Sequence, residues 1–147
     1  MRYAALAMLV CTAISGALIL RAWLTRSVVR RARVRHGRHR RLPPALVFGH
    51  VTLALLTAAT WTTFVIVGNH DLAAYAVALL AATATLGATM FVRWIPTYRS
   101  GLTAVDGPGA AHRAGPDTNL PLRVVLAHGG FAVVTTTLAT FVLLTHR

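Results

Sequence analysis

The sequence predicts an all-α integral membrane protein, a four-helix bundle built from two tandem helical hairpins. Three observations lead there. The 147 residues are 56% hydrophobic and 12% charged, whereas an ordinary soluble domain carries roughly 25% charged residues and has polar surface to cover itself. Four runs with little or no charge each reach the length of about 20 residues that a helix needs to cross a hydrocarbon core. The 15 arginines, unaccompanied by any lysine, fall mostly outside or at the edges of those runs, and nine of them fall between Arg21 and Arg41.

The first run spans residues 3–24 and carries no charge between Tyr3 and Leu20. Arg2 ahead of an apolar stretch is also how a signal peptide begins, but this stretch is long for one, lacks an A-x-A site and leads into an arginine block, so it reads as a span. The connection over 25–44 holds Arg26, Arg30, Arg31, Arg33, Arg35, Arg38, Arg40 and Arg41. Such an excess marks a cytoplasmic loop. The second run, 45–68, is uncharged, and the short connection Asn69, His70 and Asp71 has no arginine, which turns it outward. The third run covers 72–95. The connection over 96–120, with Arg99 and Arg113 and with Gly and Pro from Gly101 to Pro116, reads as a second cytoplasmic loop. The fourth run, 121–145, returns the chain outward, so both termini are expected outside. Trp23 and Trp94 fall at the cytoplasmic ends of their spans and read as interface anchors. Arginine without lysine and abundant alanine point by composition to a bacterial chain, and hence to a multi-pass protein of the inner (plasma) membrane.

Charge of +12 invites a nucleic-acid reading, but the Arg26–Arg41 block has no aromatic residue for a base to stack on. It reads as a topology signal, and beside a span it also suits anionic lipid headgroups or an acidic partner. No nucleotide loop, nucleophile triad or paired carboxylate appears, so a hydrolase or kinase has no residues to run on. The chain therefore reads as a carrier or a membrane subunit more readily than as an enzyme.

The chain also repeats itself. Leu42, Pro43, Val47, His50, Ala54, Thr57 and Thr62 recur 78 residues later as Leu120, Pro121, Val125, His128, Ala132, Thr135 and Thr140. At an offset of 71, Ala5, Ala7, Thr12, Ala13, Gly16, Ala17 and Trp23 match Ala76, Ala78, Thr83, Ala84, Gly87, Ala88 and Trp94. The two hairpins look like copies, and with two spans each they relate by an axis along the membrane normal. Gly16 with Ala13 and Ala17, and Gly87 with Ala84 and Ala88, also give small-residue spacings that allow helices to approach closely.

His50 and His128 are the histidines inside the spans, and an ionisable residue there is a functional candidate by default. Each stands seven residues after the proline that opens its helix, about 10 Å along the axis. Zinc sites want three or four ligands, whereas the spans offer no carboxylate and only Cys11 on another helix. A porphyrin supplies four nitrogens and leaves two axial positions, which two neutral imidazoles fill. Gly49, Gly129 and Gly130 add little bulk beside the histidines, Thr57 and Thr135 lie on the same helix faces, and Trp61 and Phe131 are placed to wall a pocket. Arg41 and Arg123 stand near the cytoplasmic ends, within reach of propionates. The same histidines also read, without any cofactor, as packing residues bonded to a threonine or carbonyl of the next helix.

Matched histidines on parallel helices of a four-helix membrane bundle resemble the small b-type cytochromes, including respiratory membrane anchor subunits and cytochrome b561-like proteins. The resemblance implies that His50 and His128 are axial ligands of one haem b and that the activity is electron transfer with a quinone or a protein partner, such as a respiratory or other membrane protein complex. It covers architecture and two residues, without the second intramembrane histidine pair of the b561 pattern. The alternative is a cofactor-free membrane subunit or scaffold that packs against or docks a partner.

Overall fold

The computed structural model describes residues 1–31, 42–103 and 122–145. Those residues form four helices: α1 (Arg2–Arg31), α2 (Pro44–Val67), α3 (His70–Thr103) and α4 (Leu122–Thr145). Each contains a segment long and apolar enough to cross a membrane. In the most apolar stretch of each helix only 11% to 22% of residues are buried inside the protein, so Leu55, Ile66, Val92, Val133 and Leu144 lie uncovered. Uncovered apolar side chains on every helix need lipid around them.

Local chemistry sets the helix ends. α2 starts at Pro44, where a missing N–H costs nothing in the first turn. It stops at Gly68, whose φ of 76° is left-handed and whose N–H bonds to the Phe64 carbonyl at 2.8 Å. One residue later Asn69 restarts the chain by accepting the Asp71 N–H at 2.8 Å on its side-chain oxygen. At the other end α1 continues to Arg31, and α3 passes through Pro96 to Thr103. The connections expected over 25–44 and 96–120 thus begin as helix, because basic and polar residues outside the lipid extend an established helix at low cost. Threonine hydroxyls bond back within their helices, as in Thr135 to the Phe131 carbonyl at 2.7 Å and Thr136 to the Ala132 carbonyl at 2.8 Å.

The four helices pack as two tight pairs. α1 lies along α4 and α2 along α3, while α3 meets α4 and α1 meets α2 over much shorter stretches. This pairing has the symmetry of the repeat, since exchanging the copies turns α1 against α4 into α3 against α2. The long contacts therefore run between the copies, and the contacts inside each sequence hairpin are the short ones. At the end carrying the Gly68 turn, Trp61, Phe64, Leu9, Leu80 and Val142 form a core with the alanines Ala5, Ala73, Ala76 and Ala139. The four alanines are 0% to 1% exposed, and their small size admits the indole. Trp94, expected as an interface anchor, is only 3% exposed. It stacks with Tyr98 at 4.9 Å and Phe91 at 6.0 Å, because α3 runs on past the lipid and brings Tyr98 one turn below it.

Candidate functional site

His50 on α2 and His128 on α4 meet across the bundle, with ring centroids 6.3 Å apart and planes inclined by 74°. Each ring is held by the neighbouring helix of its own tight pair. His50 Nδ1 lies 3.0 Å from the Thr83 carbonyl oxygen on α3, and His128 Nδ1 lies 3.0 Å from the Thr12 carbonyl oxygen on α1. A carbonyl only accepts, so each Nδ1 is the protonated, donating nitrogen of its ring. Nε2 is then the nitrogen with the free lone pair, and neither Nε2 hydrogen-bonds to a described residue.

Two glycines let the rings come this close. A Cβ at Gly16 would stand 3.0 Å from His128 Cε1, and one at Gly87 would stand 3.1 Å from His50 Cε1. The imidazoles thus occupy space that any other residue would take from them. Two threonine pairs complete the frame. Thr12 and Thr135 bring their Oγ1 atoms to 3.2 Å, and Thr57 and Thr83 bring theirs to 3.4 Å. These contacts correspond one to one under the repeat offsets, so the duplication read in the sequence is a duplication of the site itself.

The other residues singled out in the sequence are distributed as follows. Thr57 and Thr135 are each 2% exposed and face the partner helix of their pair. A Cβ on Gly49, Gly129 or Gly130 would meet nothing within 4 Å, so these glycines border open space and the close approach belongs to Gly16 and Gly87. Arg123 is exposed, five residues before His128. Arg41, like most of the Arg26–Arg41 block, lies outside the described residues. Trp61 does not wall the imidazoles: it is 11 residues beyond His50, about 16 Å further along α2. His70 stands at the Gly68 end, its Nε2 3.2 Å from the Leu143 carbonyl oxygen at the end of α4. Thr12, Thr83, Gly16 and Gly87 carried a signal in the sequence, since all four belong to the repeat. Ser15 carried none, and its Oγ is 3.2 Å from His128 Nδ1.

Among the described residues no group of three or more His, Cys, Asp or Glu side chains is placed to hold a metal ion. The chain offers two lone pairs from opposite helices, which suits a group that brings its remaining ligands with it. Comparison with known protein families, with characterised proteins and with solved structures finds no match. The fold and composition define the class: a small multi-pass membrane protein built as a four-helix bundle.

Proposed function

We propose that this protein binds one haem b between His50 and His128 and serves as a membrane electron carrier. The observation that carries the proposal is the paired imidazole geometry. Two imidazoles that each bond one iron at about 2 Å hold their ring centroids a little over 6 Å apart, and the observed separation is 6.3 Å. Each ring also keeps Nδ1 on a backbone carbonyl, the arrangement that fixes the tautomer and orients the ligating nitrogen of a metal-bound histidine. The two rings come from different tight pairs, and the contacts between those pairs are the shorter ones.

The chain's own residues have distinct tasks in this reading. Thr12 and Thr83 orient the rings, Gly16 and Gly87 make room for them, and Arg123 with Arg41 offers guanidinium groups to propionates. Gly49, Gly129 and Gly130, each facing open space, leave the flanks of the ligand helices free of side chains. With His50 and His128 holding it, the group would supply one-electron transfer. A quinone or a protein partner, such as a respiratory or other membrane complex, would exchange electrons with it. The arginine distribution favours an orientation with both termini on the outer side of a bacterial inner membrane and with anionic lipid at the Arg26–Arg41 block. A membrane-impermeant thiol reagent should therefore label a cysteine introduced at position 146 and spare one introduced at position 37; the reverse pattern inverts the topology.

The test is a dithionite-reduced minus oxidised spectrum of protein purified in detergent from cells well supplied with haem. Sharp haem b bands are expected. His50→Ala and His128→Ala should each abolish them, while His70→Ala should leave them. A folded protein without those bands would be a cofactor-free subunit, in which the imidazole bonds serve helix packing alone.

A further inference from the structure

Among the described residues, every contact that frames the imidazoles is duplicated except one. At His128, the Nδ1–H faces the Thr12 carbonyl oxygen at 3.0 Å and Ser15 Oγ at 3.2 Å. Ser15 is 7% exposed. Its single hydroxyl hydrogen is committed to a backbone carbonyl, Cys11 or Thr12, both at 2.9 Å. Its oxygen therefore presents a lone pair to Nδ1–H, and a hydroxyl that is itself donating is a better acceptor than an isolated one. The repeat partner of Ser15 at an offset of 71 is Leu86, which has no polar side-chain atom. Among the described residues His50 Nδ1 has the Thr83 carbonyl alone.

We propose that Ser15 is a positioning residue that makes the two haem ligands unequal, with His128 the stronger electron donor to the iron and His50 the weaker. The inference rests on the bis-histidine haem reading above. A second acceptor on the Nδ1–H draws that proton outward and raises the basicity of Nε2 on the same ring. A more basic axial nitrogen favours the ferric over the ferrous state. Ser15 thus lowers the midpoint potential, and Leu86 leaves the His50 side without that effect.

The experiment is a redox titration of the purified haem-loaded protein, with haem stoichiometry measured beside it. Ser15→Ala should keep one haem per chain and move the midpoint potential in the positive direction. Ser15→Thr, which restores the hydroxyl, should return it. Leu86→Ser should move it in the negative direction and serves as the readout if Ser15→Ala fails to fold. Variants that hold haem at the wild-type potential overturn the role of Ser15 and leave the haem site standing. Wild-type protein that folds without haem overturns both.

Discussion

Glycines at six described positions divide by what a methyl group would touch. At Gly16 and Gly87 it would press on a histidine ring that a carbonyl already holds in place, so the ring cannot give without losing its bond. Gly16→Ala and Gly87→Ala should each lower stability by about 1–3 kcal/mol through overpacking. Thermal unfolding in detergent checks this, and a ring that is displaced should also loosen haem. At Gly49, Gly129 and Gly130 nothing stands within 4 Å, so alanine there should be neutral or stabilise the helix by up to about 1 kcal/mol. The sixth, Gly68, has φ of 76° and is required by its backbone, since a side chain in that region costs about 1 kcal/mol or more. One residue type thus carries opposite expected signs, and only the environment separates them.

Single helices in this protein are weakly specified by polarity, because apolar residues surround α2 and α4 on all sides and lipid accepts any of them. What orients each helix is the polar and small residues that it cannot show to lipid. α2 and α4 turn Thr57 and Thr135 inward, and α1 and α3 turn Thr12 and Thr83 to meet them. Such bonds in membranes contribute about 0.6 kcal/mol each, enough to select a face among otherwise equivalent ones. The copies differ at the Gly68 end, where α2 carries Trp61 and α4 has Ala139 in the equivalent place. Trp61 is 3% exposed and its Nε1–H has no partner among the described residues. Trp61→Phe should therefore be nearly neutral or stabilising, because it keeps a ring and removes a buried donor that costs about 1–3 kcal/mol unpaired. Trp61→Ala should destabilise by about 3–5 kcal/mol through the cavity it leaves. Thermal unfolding of the two variants side by side measures the contrast, and equal losses would mean that the indole N–H has a partner in the membrane.

The whole molecule has two tight pairs and a seam. Each pair is locked by its own histidine, threonine and glycine contacts, whereas the pairs meet each other at the Gly68-end core, across the imidazoles and where Trp23 meets Phe48 with ring centroids 6.4 Å apart. A group bound between His50 and His128 would tie the pairs together, and any ligand that binds only the folded state stabilises it by mass action. Haem-loaded protein should therefore unfold at a higher temperature than the same protein made under haem limitation, and His128→Ala should lose the difference. The pseudo-two-fold relation also explains why Ser15 stands out. In a duplicated frame, a residue that breaks the repeat beside one histidine changes one side only.

Composition and the spacing of apolar runs determined that the solvent is lipid, that the membrane-spanning helices among the described residues number four and roughly where each begins, because the free energy of placing an apolar run in a bilayer depends on its length and charge and hardly on its neighbours. Self-similarity in the sequence also isolated His50 and His128 and marked Thr12, Gly16, Thr83 and Gly87 as duplicated residues, without saying what they touch. Tertiary structure decided the rest. It paired α1 with α4 and α2 with α3, put the Thr12 and Thr83 carbonyls on the imidazoles, assigned the close approach to Gly16 and Gly87 rather than to Gly49, Gly129 and Gly130, and moved Trp61 away from the histidines into the opposite end of the core. These outcomes depend on which helix faces meet. In an all-apolar helix that choice comes from a few hydrogen bonds and from where small residues let backbones approach, and both are properties of pairs of helices.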